Sequence, residues 1–322
     1  MSGSGSVAPR VTVIVVSFNT RDLLARCLKS LRSSRRPPET EAIVVDNAST
    51  DGSPGMVAGE FPEVRLLLPG ENLGFAKANN LAAEEARGEY LLLLNSDAAV
   101  DENAIPELAR FLDEHPSAGI VGPRLRNPDG THQPSARTFP CPMNLLLEAT
   151  GLGGLVDRTH HYGFSGDETI RVDYVSGAAL MIRRHLWREL GGFEESYFFY
   201  GEDADLCWRA KAGGAETWFV HQAGAVHEGG ASTAALRRDA AIEGYRAYLL
   251  FIGEHQGKAA LRWARLWVFM GAALRWVVSL LPAALSPEWR RRRVTYAAVA
   301  KLVLSRDPFP IGRFGWPGEE GP

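Results

Sequence analysis

Cysteine is scarce in this 322-residue chain: there are three, Cys27, Cys141 and Cys207. The number is odd and no pair stands in a C-x-x-C spacing, which argues against a disulfide framework or a structural zinc site and suits the cytosol. No charged-then-apolar leader opens the sequence; Met1 to Ser6 is rich in Gly and Ser and reads as a disordered lead. Internal repeats are absent. Long uninterrupted apolar runs are lacking too. The best candidate, Leu266 to Leu285, carries Arg275 at its centre and Pro282 near its end. A spanning helix needs about 20 apolar residues, and a central Arg costs at least ~2.5 kcal/mol on insertion.

What is present is the composition of a folded body, 45% apolar and 23% charged. The length suits one full-sized α/β core with a modest appendage. The net charge of −3 hides an asymmetry. Lys258 to Arg306 holds ten Lys and Arg against one acid, Glu288, so a basic tail follows an acidic body. Such a tail points to an anionic surface. With Arg262 and Arg265 before the apolar stretch and Arg290 to Arg293 after it, the pattern predicts an interfacial helix whose arginines reach lipid phosphates. The alternative is a helical pair packed on the body with a solvated basic face. Nucleic acid is not expected, because no recognised motif or aromatic platform accompanies the charge.

Val11 to Val16 is a continuous β-branched run ending in Ser17-Phe18-Asn19, which predicts a buried strand running into a loop. Further strands are expected at Ala42 to Val45, Val64 to Leu68, Tyr90 to Leu94 and Gly119 to Pro123. Helices are expected over Asp22 to Leu31, after Asp51, over Phe75 to Ala86 and over Asn103 to Glu114. This alternation predicts a mostly parallel sheet with right-handed crossovers. From Leu125 to about Glu168 the pattern dissolves into Pro, Gly, His and Arg, and a loop of this length is usually functional or mobile. Periodicity returns at Arg171 to Ile182, with helices near Arg184 to Leu190, Asp203 to Ala212 and Ala234 to Ile252. Closing strands are read at Thr217 to Val220 and Gly224 to His227.

Four short phrases carry chemistry: V-V-D-N-A-S (44–49), N-L-G-F-A-K-A-N-N (72–80), L-L-N-S-D (93–97) and Y-G-E-D-A-D (200–205). Three set polar residues, mostly carboxylates, beside apolar runs, where an open α/β sheet collects ligands at the carboxyl ends of its strands. A fifth phrase, H-E-G-G-A-S (227–232), offers an imidazole to a divalent metal. The ordered set, with V-I-V-V-S-F-N-T (13–20) and G-E-D-A-D-L-C-W-R-A (201–210), resembles inverting family-2 glycosyltransferases of the GT-A fold. Within that family it is most similar to rhamnosyltransferase-like members that build bacterial cell-surface glycans. The resemblance covers Val11 to about Ser232.

The resemblance implies a Rossmann-like, mostly parallel mixed sheet flanked by helices (residues 11–255), between a lead (1–10) and a basic helical tail (256–322). It also implies roles. Asp46 would accept hydrogen bonds from the nucleotide's base or ribose, unless it merely caps the next helix, which Asn47 to Asp51 could do equally well. Ser17, Asn19, Asn72, Gly74, Lys77, Asn79, Asn95 and Ser96 complete the expected nucleotide site, with the pyrophosphate at a helix N-terminus. Asp97 would bind Mg²⁺ or Mn²⁺ across the two phosphates, since a departing nucleoside diphosphate needs its charge neutralised. Asn95 departs from the acidic first position of the family's D-x-D-type motif. His227 would complete the metal shell or touch the diphosphate. Asp203 would be the general base and Glu202 its orienter, with Ser176 and Gly177 shaping the acceptor pocket. Asp205 reads as a helix-start residue, and Trp208 and Arg209 as packing and surface.

The expected partners are a nucleotide-diphosphate sugar (dTDP- or UDP-linked), a glycan or polyprenyl-linked acceptor, whose side the irregular 125–168 segment would line, and a membrane surface; a homo-oligomer is compatible. The expected location is cytoplasmic, peripheral to the inner face of the cell membrane. Neither Arg262-Trp263 nor Arg275-Trp276 has a Gln three positions before its Arg, as processive relatives do, so a non-processive enzyme is expected. Two rivals stand beside this reading. A sugar-1-phosphate nucleotidylyltransferase would show a Gly-rich loop where Ser17-Phe18-Asn19-Thr20 has no glycine, and a non-catalytic glycan-binding scaffold would not need Asp97, Asp203 and His227.

Overall fold

Apolar strands with no polar face must be covered on both sides, and this sets the architecture. In the computed structural model, which describes residues 9–34, 40–151, 167–197, 199–229, 237–280, 282 and 286–305, β1 (Val11–Ser17) is buried at every position except Val16, which is partly covered. It pairs in parallel with β2 (Thr40–Asp46) and with β4 (Tyr90–Asn95), and β2 pairs in parallel with β3 (Arg65–Leu67). The crossovers are α1 (Arg21–Ser33), α2 (Ser53–Glu60) and α3 (Gly74–Glu85). Helix α1 buries Leu24, Cys27, Leu28 and Leu31, the face its spacing predicts. Each such leucine contributes about 1.5–3 kcal/mol of burial.

Beyond β4 the sheet becomes mixed. Its order is β3-β2-β1-β4-β11-β6-β12-β5, with β11 (Ala179–Arg183) antiparallel to both β4 and β6 (Ala118–Arg126). Strand β12 (Glu216–His227) runs parallel to β6, and β5 (Ala98–Val100) runs antiparallel to β12. The carboxyl ends of β1, β2, β4, β6 and β12 therefore share one edge. Helix α4 (Ala104–Glu114) packs on β12 and β6.

Several sequence expectations change. The two closing strands are one strand, β12, with a register shift between Val220 and Gly224. The segment expected to be irregular contains β7 (His132–Gln133), β8 (Ala136–Arg137) and α5 (Pro142–Thr150). Strand β7 returns along β6 through a turn at Asn127 to Thr131, with Gly130 at φ 84°. Two-residue strands are too short to show an alternation. Strand β8 pairs with β10 (Tyr174–Val175), and β9 (Ile170–Val172) pairs with β12. Helix α6 (Arg184–Leu190) ends in a left-handed Gly191 cap, and α7 (Glu202–Ala212) follows. Met1 to Ser6, His160, His161 and Gly230 to Ser232 lie outside the described residues.

The chain forms two compact units: one from residues 1–139, 154–195 and 202–237, the other from 140–153, 196–201 and 238–322. The sheet belongs to the first. The second holds α5, nearly all of α8 (Arg237–His255), α9 (Gly257–Val278) and α10 (Pro287–Leu304). Helix α9 packs against α5 and α10, closely enough that a Cβ on Gly271 would lie 2.8 Å from the Ala149 Cβ. Arg265 is not a phosphate-seeking side chain: it donates to the carbonyls of Val303 (2.8 Å) and Ser305 (2.6 Å), satisfying the C-terminus of α10. Trp263, Leu266, Met270, Leu274 and Val278 form an exposed apolar stripe along α9. Among the described residues no helix is long and apolar enough to cross a membrane.

Candidate active site

Register places the first polar residues side by side. Ser17 stands opposite Asp46, and Val16 opposite Asn95, so the ends of β1, β2 and β4 form one polar line. Asp46 is buried; its Oδ1 accepts the Ser49 amide at 2.8 Å, and its Oδ2 has no partner among the described residues. The helix-capping alternative belongs to Asp51, whose Oδ1 accepts the Ser53 amide (3.0 Å) and hydroxyl (2.6 Å). Asp46 thus keeps a buried acceptor for a ligand donor; left unmet, such an atom costs about 1–3 kcal/mol.

Asn19, at φ 51°, accepts the Thr50 amide at 2.8 Å and so ties the β1 loop to the β2 loop. Ser17, Thr20 and Ser96 link their hydroxyls in a buried chain at 2.9 and 3.0 Å. Asn72 caps the Gly74 amide at 3.0 Å, and Asn47 donates to the Gly74 carbonyl at 3.1 Å. Gly74, at φ 76°, opens α3. Lys77 is exposed on α3. Asn79 is buried within α3 and donates to the Phe75 carbonyl at 2.9 Å, the position of a packing residue rather than of an edge residue.

Asp97 sits in the tight connection from β4 to β5. Because Ala98 pairs with His227 in the antiparallel β5–β12 ladder, the two candidate metal ligands meet: His227 Nε2 lies 3.2 Å from Asp97 Oδ1. The Asp97 side chain is 1% exposed, and neither carboxylate oxygen has a hydrogen-bond partner among the described residues. The Asn95 amide nitrogen lies 3.3 Å from His227 Nε2. The other ring nitrogen, Nδ1, lies 2.6 Å from Gln133 Oε1, a partner that no sequence pattern singles out. The carboxylate is a donor suited to Mg²⁺ or Mn²⁺, and the imidazole nitrogen beside it is a ligand for divalent transition metals. Two orphaned carboxylate oxygens at a buried position are the observation that favours a cation there.

Asp203 lies in the first turn of α7. Its Oδ2 accepts the Gly177 amide (3.0 Å) and its Oδ1 the Ala204 amide (2.8 Å). Gly177 is flanked by Asp203 and Phe75, so the Ser176-Gly177 loop touches the base candidate directly. That loop is fastened to β4 through the Asn95 amide and the Ala178 carbonyl (3.0 Å). Loss of solvation raises the Asp203 carboxyl above its ordinary value, while the Gly177 and Ala204 amides and the Arg137 charge pull it down. Glu202 is raised well above the usual carboxylate range by burial first and by the Asp203 charge second, and its Oε2 is unpartnered. Asp205 pairs with Arg209 at 2.6 Å, and Arg209 also donates to the Leu190 and Gly192 carbonyls, so Arg209 fastens α7 to α6 rather than decorating the surface.

A mixed sheet whose polar edge gathers carboxylates, an imidazole and a capped helix N-terminus defines a GT-A glycosyltransferase. The sequence model described as glycosyl transferase family 2 matches residues 12–190, more than half of the chain, and one described as glycosyl transferase family group 2 matches 154–307. The chain belongs to glycosyltransferase family 2 and is an enzyme of that class. It is 30% identical, over 78% of its length and 87% of the relative's, to the N-acetylglucosaminyl-diphospho-decaprenol L-rhamnosyltransferase of Mycobacterium tuberculosis. Its fold is similar to that of a mannosyltransferase from Pyrobaculum calidifontis in complex with GDP-Man and Mn²⁺ (TM-score 0.56, 19% identity, 94% of this chain and 88% of that one). It is also similar to S. aureus TarS 1-349 in complex with UDP (TM-score 0.52, 18% identity, 91% and 90%).

Proposed function

We propose that this enzyme is a metal-dependent, inverting, non-processive rhamnosyltransferase. It takes L-rhamnose from a dTDP-linked donor and places it on a lipid-linked glycan in bacterial cell-surface polysaccharide synthesis. The meeting of Asp97 and His227 on the edge that also carries Asp46 and Asp203 is the observation that carries this reading. The name of the mycobacterial relative supports the sugar and the polyprenyl-diphosphate class of acceptor.

In this reading Asp46 receives donors of the base or ribose, and the N-terminus of α3 faces the diphosphate. Asp97 and His227 would hold the divalent ion, which when bound would supply charge neutralisation for the departing nucleoside diphosphate. Asp203 takes the proton of the acceptor hydroxyl as that oxygen attacks the anomeric carbon opposite the leaving group, so the configuration inverts. The Gly177 amide holds the base in place, Glu202 lies behind it, and Ser176-Gly177 floors the acceptor site.

The test is isothermal titration with dTDP, UDP and GDP, each with and without Mn²⁺. Mn²⁺-dependent binding of dTDP above the others is expected; preference for UDP or GDP would overturn the donor, and metal-independent binding the role of Asp97.

A lipid-linked acceptor would bring the enzyme to the inner face of the cell membrane, and the exposed stripe of α9 with Arg290 to Arg293 is a surface suited to anionic lipid. Replacing Trp263, Leu274 and Val278 together by Ser removes exposed side chains only, so the fold should persist. Sedimentation with phosphatidylglycerol vesicles should fall at least about 10-fold, each buried CH₂ being worth roughly 0.8 kcal/mol. Undiminished sedimentation would end this assignment.

A further inference from the structure

His227 has two ring nitrogens, and only a bare Nε2 can serve as a ligand beside Asp97. Which nitrogen carries the proton follows from a chain of hydrogen bonds whose direction is set at its far end. Asp129 is acceptor-only; its carboxyl is held below the ordinary value by the Thr131 hydroxyl and amide. The Thr131 hydroxyl must therefore donate to Asp129 Oδ1, at 2.6 Å. Its oxygen then accepts from Asn127 Nδ2, at 2.9 Å, which turns Asn127 Oδ1 toward Gln133. Gln133 Nε2 donates both to Asn127 Oδ1 (2.9 Å) and to the His227 carbonyl (3.2 Å). With its amide nitrogen so engaged, Gln133 presents Oε1 to His227 Nδ1 at 2.6 Å, and an amide oxygen only accepts.

At the other end, the Asn95 side-chain nitrogen lies 3.3 Å from Nε2, a contact that an unprotonated Nε2 can accept weakly until a cation takes its lone pair. Gly229 makes room for the network: a Cβ there would sit 2.8 Å from Gln133 Nε2.

We propose that the relay Asp129–Thr131–Asn127–Gln133 locks His227 in its Nδ1–H tautomer and so holds Nε2 bare beside Asp97, making Gln133 the positioning residue of the metal site. The inference rests on the metal-binding reading above for its purpose, but the tautomer itself does not depend on it. A bare nitrogen and a carboxylate oxygen 3.2 Å apart repel unless a cation lies between them, so the relay would deliberately set two acceptors against one another. Outer partners of this kind orient the ring and raise its basicity as a ligand.

Two measurements on the metal-free protein test it. Long-range ¹H–¹⁵N correlation at alkaline pH, with the His227 ring identified by its loss in His227→Ala, should show Nδ1 protonated and Nε2 bare. Mn²⁺ alone, followed by electron paramagnetic resonance, should bind Gln133→Leu about 10–100-fold more weakly than wild type. Gln133→Glu, which keeps an acceptor facing Nδ1, should recover most of that loss, a rescue that mere packing would not give. If Gln133→Leu does not fold, Asn127→Ala removes the link behind it and should weaken Mn²⁺ in the same direction. A wild-type ring protonated at Nε2, or undiminished Mn²⁺ affinity in the folded variant, would overturn the proposal. An Nδ1–H ring together with unchanged Mn²⁺ affinity in His227→Ala would overturn the metal role and leave the relay standing.

Discussion

Asp203→Asn is expected to lower kcat by about 10²–10⁴-fold, the usual contribution of a positioned general base, with Mn²⁺-dependent nucleotide affinity unchanged. Asn preserves the shape, and its carbonyl oxygen can still accept from the Gly177 amide, so the loop at Ser176 to Ala178 should keep its place. What is lost is the ability to take a proton. Single-turnover kinetics beside titration of the nucleotide separates the two, and undiminished turnover would remove Asp203 from the role.

As the proposed base, the same residue should set the acid limb of the pH profile. The base works only when ionised, and desolvation raises its carboxyl above the ordinary Asp value. Activity should therefore fall as pH drops through a value higher than that of a free Asp. Glu202, raised further by burial and by the Asp203 charge, holds its proton more tightly than Asp203 does. Glu202→Gln mimics the protonated form and should leave that limb nearly in place.

Asp97→Asn should produce the second large effect, in two opposite directions. Loss of a charged ligand should weaken Mn²⁺-dependent nucleotide binding at least about 100-fold, since removing an outer partner alone costs about 10–100-fold. The metal-free protein should nonetheless become more stable. Asp97 is a buried carboxylate with both oxygens unpartnered and an imidazole nitrogen at 3.2 Å. An uncompensated buried charge destabilises the fold, and a neutral amide relieves it while donating to Nε2. A higher thermal midpoint with lost metal-dependent binding is the mark of a functional site held at the expense of stability. A lower midpoint in the metal-free state would mean that Asp97 is a structural ion-pair partner.

The sheet was legible in the sequence where strands are long and apolar. Val11 to Val16 and Tyr90 to Leu94 announce themselves because burial on both faces calls for a nearly continuous apolar run. Strands β7 and β8 were not legible, being two residues long and defined by their partners, and the periodic stretch Arg171 to Ile182 did not show that it divides into β9, β10 and β11. The site divides in the same way. Asp46, Asp97, Asp203 and His227 stand in phrases that name a family, whereas Gln133 stands in a stretch of Pro, Gly, His and Arg with no pattern of its own. The hydrogen bonds that absorb Asn79 and Arg265 internally are equally invisible, because a polar side chain looks the same whether it faces a ligand or a backbone carbonyl.

Residue types and their order were in the sequence: apolar runs that must be buried as strands, several of them followed by an acid, an amide or an imidazole. Which of them meet was settled by strand pairing across the sheet. Register across β5 and β12 brings Asn95 to His227 over 132 positions, and the β6–β7 return brings Gln133 to the same ring over 94. Local pattern carries the hydrophobic periodicity that makes an element. Pairing between distant strands is set by packing of the whole sheet, and that is what brings Asp97, Gln133 and Asn95 to the His227 ring.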